Sequence, residues 1–152
     1  MPYRKVIPQG KLSEKLPGGG IVGRVGLKFE LIDKVIELDA DRIVAAKNVT
    51  SAEEYLADHF PTFPVLPGVM MLETLVQAGR ILLAKSMNTG DTPMIMAEAR
   101  NIRYGNMVKP GQTLVVEVTC KGEKDGKWQM VGIGKVDGKV AVQGKFALAA
   151  LS

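Results

Sequence analysis

Apolar residues follow two different rhythms along this chain, and one stretch follows neither. From Thr113 to Lys121 they alternate, with Leu114, Val116, Val118 and Cys120 on one face and Val115, Glu117, Thr119 and Lys121 on the other. That period belongs to a half-buried strand. From Val69 to about Lys85 they crowd instead: Val69, Met70, Met71, Leu72, Leu75, Val76, Ala78, Ile81, Leu82 and Leu83 leave almost no polar side. A helix that is apolar around most of its circumference is normally a buried one. Residues 1–20 have neither rhythm. Pro2, Pro8, Pro17 and Gly18-Gly19-Gly20 predict an arm with little regular structure, ahead of one domain over 21–152.

The remaining elements fall between turn signals. Ile21 to Leu38 reads as β-like, Asp39 to Asp41 as a turn, and Arg42 to Thr50 as a second strand. Ser51 to Glu54 begins like a capped helical turn. Beyond the helix, Gly90 in Asn88-Thr89-Gly90-Asp91 is a C-terminal stop. Pro93 to Tyr104 predicts a strand and Lys109-Pro110-Gly111-Gln112 a turn. Asp125-Gly126 and Asp137-Gly138 predict tight hairpin turns joining Lys127 to Val136 and Lys139 to Leu148 into a meander. One antiparallel sheet and one apolar helix have a natural packing solution, an α+β layer in which the sheet curls round the helix. A single sheet does not easily cover every side of that helix, so a second copy of the chain is expected to help.

Composition narrows the class. At 152 residues, 46% hydrophobic and 24% charged, the chain suits one globular domain. It has no apolar run of membrane-spanning length, and its N-terminus lacks a signal core. Cys120 is the only cysteine, which precludes an internal disulfide, suits a reducing cytoplasm and reads as a small core residue. Met70, Met71, Met94 and Met96 read as core filling. The net charge of +4 favours acidic partners. Scattered basic residues and 5% aromatics argue against nucleic acid. One His and one Cys, far apart, do not make a zinc set.

The candidate chemistry lies between His59 and Arg80. His59 is the only histidine, and Pro61, Pro64 and Pro67 follow it. Each proline pushes the residue before it towards extended geometry, so this part is a stiff arm, with Pro67 suited to the first turn of the helix. Glu73 and Gln77 then sit one turn apart on a helix that is otherwise apolar. A buried carboxylate is costly unless paired or put to use. Glu73 is either ion-paired, with Arg80 or Arg100, or catalytic.

Taken together, His59, Phe60, Pro61, Pro64, Val65, Pro67, Gly68, Val69, Glu73 and Gln77 closely resemble, in order and spacing, the central stretch of the FabZ-type 3-hydroxyacyl-[acyl-carrier-protein] dehydratases. Leu31 to Val35, Lys47 to Thr50, Val108 to Gln112 and Val136 to Val140 resemble flanking segments of that family. The chain departs from it at Arg24 to Lys28 and at Asp58, where the family commonly has Gly before its histidine.

The resemblance implies a hotdog fold and the dehydration of (3R)-3-hydroxyacyl groups borne on acyl carrier protein. It implies His59 as base and Glu73 as acid, contributed by different subunits. Gly68 would supply an oxyanion-binding N–H, with Val69, Gln77, Phe60 and Pro67 lining or supporting the substrate site. It implies no metal and no redox cofactor, a homodimer or trimer of dimers, no nucleic acid, no membrane, and a cytoplasmic setting. Arg100, Arg103 and Lys109 are candidate contacts to the acidic carrier protein. Glu rather than Asp at position 73 favours plain dehydration over the coupled isomerisation of FabA-type enzymes. A hydratase or thioesterase of the same fold, or a non-catalytic acyl-binding protein, remain alternatives.

Overall fold

The computed structural model describes residues 31–50, 65–86 and 92–151. Within them lie one helix, α1 (Gly68–Ser86), and six strands: β1 (Lys34–Leu38), β2 (Arg42–Asn48), β3 (Met94–Tyr104), β4 (Thr113–Lys124), β5 (Lys127–Val136) and β6 (Lys139–Ala150). The strands form one sheet in the order β1-β2-β4-β5-β6-β3, antiparallel at every pairing.

Half of this register is set locally. In the β4–β5 and β5–β6 hairpins, Asp125 and Gly126 have φ of 55° and 78°, and Asp137 and Gly138 have 51° and 78°. Two consecutive left-handed residues make the turn whose twist matches the strands it joins. Each two-residue loop therefore closes directly, Lys124 opposite Lys127 and Val136 opposite Lys139. The alternation read from β4 is reproduced: Leu114, Val116, Val118 and Cys120 are buried, while Val115 and Lys121 are exposed.

The helix sits on the face these residues share. It packs against β2, β3, β4, β5 and β6. In the strand order β2 and β3 are four places apart, roughly 19 Å in a flat sheet at the usual strand spacing. A helix about 10–12 Å across cannot touch both unless the sheet curves around it. This curved sheet around a single long helix is the hotdog architecture.

Two glycines bring the layers close. A Cβ at Gly79 would lie 3.2 Å from Leu148, and one at Gly132 would lie 3.2 Å from Leu75. Leu75 and Leu82 are fully buried, each stabilising the fold by about 1.5–3 kcal/mol. The buried Thr74 hydroxyl donates to the Met70 carbonyl at 2.7 Å, so it needs no partner from the sheet.

Several boundaries differ from expectation. The helix starts at Gly68, with the Pro67 carbonyl accepting from Met70 and Met71 N–H at 2.9 and 3.1 Å. Pro67 thus stands just before the helix, where its missing N–H is equally harmless. Leu31 to Asp33 is not strand; β1 begins at Lys34. The second strand ends at Asn48, because Val49 turns its backbone to Gly111 and Gln112 instead. Met71 and Met94 fill the core as expected, but Met96 is exposed on the edge strand. The arm 1–20, the expected helical turn at Ser51 to Glu54 and the stop at Gly90 lie outside the described residues.

The edge strand β3 is irregular. It pairs only with β6, and its register shifts between Met96 and Glu98 and again between Arg100 and Arg103. At the second shift Asn101 adopts a φ of 55°. The extra residue turns Ile102 inward over Gly144, where any Cβ would lie 2.3 Å from the Ile102 side chain. Bulges of this kind re-aim side chains and disfavour uncontrolled edge pairing.

Candidate active site

A stripe of three long polar side chains interrupts the apolar circumference of α1. Glu73, Gln77 and Arg80 follow one another at helical spacing, so all three lie on one stripe. Gln77 Nε2 donates to Glu73 Oε2 at 3.2 Å, and Arg80 Nη1 reaches the same oxygen at 3.5 Å. Two further bonds leave the helix. The Leu31 N–H donates to Gln77 Oε1 at 2.8 Å, and Arg80 Nε donates to the Met94 carbonyl at 2.8 Å. The Glu73 and Arg80 side chains retain 27% and 24% of their exposure in the single chain. A carboxylate on a helix that is otherwise largely buried is thus paired and still reachable.

The second part of the site is the start of α1. The chain enters along the β3–β4 connection, where the Leu66 N–H donates to the Val108 carbonyl at 2.8 Å. Gly68 then opens the helix. By helical geometry the first N–H groups have no carbonyl to reach within it, and the dipole there is positive. The Tyr104 ring lies against Gly68, so that a Cβ there would approach it to 3.0 Å. Val69 is 65% exposed and Tyr104 51%, so the helix start is framed by apolar side chains open to a substrate or to a second chain.

The structure therefore places Gly68, Val69, Glu73 and Gln77 along the first half of one helix, with Pro67 immediately before it. His59 and Phe60 lie outside the described residues, as does Asp58. Of the two ion-pair partners considered for Glu73, the structure selects Arg80. Arg100, Arg103 and Lys109 are all exposed. Arg103 adjoins Tyr104, and Lys109 adjoins Val108. Sequence reasoning missed Tyr104, because a bulged strand distant in sequence brings it to Gly68. The anchoring of Arg80 on Met94 was also missed, although its place on the Glu73–Gln77 stripe was a usable signal.

Other reactive or charged groups have structural surroundings. Burial pushes the Cys120 thiol up from its ordinary range. Arg42 bonds Glu117 and Glu37 across β1, β2 and β4, and the Glu117 hydrogen bond chiefly raises its guanidinium further. Among the described residues, no helix is long and apolar enough to cross a membrane.

Comparison with known proteins addresses the whole arrangement. The FabA-like domain matches residues 26–150. The chain is 37% identical over 120 residues to the 3-hydroxyacyl-[acyl-carrier-protein] dehydratase FabZ of Rickettsia bellii, covering 78% of this chain and 83% of that one. It is 40% identical over 120 residues to the FabZ of Thermotoga petrophila, covering 79% and 85%. Among solved structures, the dehydratase heterocomplex ApeI:P from Xenorhabdus doucetiae superposes with a TM-score of 0.66 at 18% identity. It covers 81% of this chain and 84% of that one, a likeness of fold.

Proposed function

This chain belongs to the FabA-like family, and from that premise we propose that His59 and Glu73 catalyse the dehydration of 3-hydroxyacyl-acyl-carrier-protein to the trans-2-enoyl thioester in fatty acid biosynthesis. It is a hydro-lyase. The observation that carries the residue assignment is the placement of Glu73, a reachable carboxylate on a mostly buried helix, five residues from the helix start.

Five residues span about 7.5 Å of helix rise, and helical side chains lean towards the N-terminus, which shortens that gap. The distance suits a thioester carbonyl at Gly68 and a C3 hydroxyl at Glu73. His59, as neutral imidazole with an ordinary pKa of about 6.5, takes a proton from C2. The electron pair released forms the C2–C3 double bond, and the C3–O bond breaks. Glu73 protonates the departing hydroxyl, which leaves as water. Proton return from imidazolium to carboxylate resets the pair. The Gly68 N–H steadies the charge that builds on the carbonyl oxygen, as a single-donor oxyanion site. Val69, Pro67 and Phe60 line the acyl path, and Gln77 holds Glu73.

Family membership also supports a homodimer in which His59 meets the Glu73 of the other copy, a trimer of dimers being the larger form. The site would then be complete only between two chains. Acyl carrier protein is acidic, and exposed Arg100, Arg103 and Lys109 give it a positive approach to the helix start. The setting is cytoplasmic.

The test is an assay with a 3-hydroxyacyl carrier-protein substrate, following enoyl absorbance and free thiol together. His59→Ala and Glu73→Gln are each expected to lose roughly 10²–10⁴-fold in turnover while the far-UV circular dichroism stays unchanged. Wild-type turnover in either variant rejects the pair, and thiol release without enoyl product makes the protein a thioesterase.

A further inference from the structure

We infer that Arg80 is a positioning residue for Glu73, and that Arg80 and Gln77 together fix Oε1 as the carboxyl oxygen that delivers the proton. The inference rests on Glu73 being the acid.

The orientation of the Gln77 amide follows from its partners. The Leu31 N–H can only donate, so the oxygen of Gln77 faces it and the NH2 group faces Glu73. The guanidinium of Arg80 also carries donors alone. Both groups converge on Glu73 Oε2, at 3.2 and 3.5 Å. An oxygen facing two donors has no use for a proton of its own. In the neutral carboxyl the proton therefore sits on Oε1.

Neither donor is free to swing away. Arg80 is held at its Nε by the Met94 carbonyl, the first residue of the edge strand. Gln77 is held by Leu31. The carboxyl plane is thus set from two segments outside the helix, one on each side in sequence.

The chemistry follows from that arrangement. When Oε1–H gives its proton to the C3 hydroxyl, the C3–O bond breaks and water leaves. The negative charge left on Glu73 spreads to Oε2, where two donors already wait. An interaction that strengthens as charge develops lowers the barrier rather than tightening substrate binding. Lysine would restore the charge without the planar fork that serves Met94 and Glu73 together.

The test uses the full-length chain in steady-state kinetics with a 3-hydroxyacyl carrier-protein substrate, comparing Arg80→Ala, Arg80→Lys and Glu73→Gln, each with a thermal melt. Arg80→Ala is expected to lower kcat about tenfold or more with KM changed less than about twofold, and Arg80→Lys to recover part of that loss. Wild-type kcat in Arg80→Ala, beside an inactive Glu73→Gln, overturns the role of Arg80 and leaves the acid assignment standing. Full turnover in Glu73→Gln overturns the acid assignment itself. If Arg80→Ala fails to fold, Arg80→Lys decides: reduced kcat at unchanged KM supports the role, and wild-type kcat overturns it.

Discussion

The β4–β5–β6 meander and the β3–α1 flank use the same kinds of residue to different ends. In the meander, strand alternation and Asp-Gly turns agree, and every hairpin closes in two residues. On the flank, β3 carries two register shifts, a left-handed Asn101 and exposed Ile95 and Met96. Facing it, α1 carries a hydrogen-bonded polar stripe and an exposed Val69. Local consistency marks the part that only has to fold. The flank, whose departures include an edge and a left-handed Asn101, is the one that carries the proposed site, although the meander has register shifts of its own between Cys120 and Gly122 and between Gly134 and Lys135.

If that division is sound, stability and turnover should separate by region. The largest effect is expected at Leu114, fully buried in β4. Leu114→Ala should cost about 2–5 kcal/mol in urea unfolding, with near-normal turnover in the fraction that stays folded. A comparable loss of kcat in folded protein would break the division.

Next is Gly68→Ala on the flank. Its Cβ would meet the Tyr104 ring at 3.0–3.3 Å, and that ring is exposed enough to move aside. Stability should stay level, while turnover falls about tenfold as the helix start shifts from its working geometry. Equal damage to both would make Gly68 a packing residue.

The smallest effect tests the seam between the regions, where Lys127 of β5 reaches Glu98 of β3 at 2.6 Å. That hydrogen bond is the main cause holding the Glu98 carboxyl below its ordinary value of 4.5. A depressed folded-state value means the contribution is present above the unfolded pKa and lost as pH falls through the folded one. Lys127→Met should therefore cost a little stability at neutral pH and nothing once Glu98 is protonated in acid, so the acid limb of the stability curve becomes slightly less steep. A loss in acid as large as the loss at pH 7 would contradict this.

Much of the fold was legible because its signals are short-range. The period-two pattern of β4, the two Asp-Gly pairs and the apolar crowd from Met70 to Leu83 each settle a local conformation without reference to the rest. The first strand was overextended because apolar residues at Leu31 and Ile32 look the same whether they pair in a ladder or, as here, lead into it. Met96 misled for a related reason. Its apolarity does not tell that its strand ends up at the edge of the sheet, where it is exposed.

The sequence alone settled the residue types of the site and their spacing on α1, since helical periodicity turns sequence distance directly into position on a face. Only the tertiary structure decided their partners: Arg80 on Met94, Leu31 on Gln77, and Tyr104 against Gly68. Those contacts join segments 14, 46 and 36 positions apart. No local rule reaches that far, because such pairings depend on how the sheet curves and where an edge strand bulges.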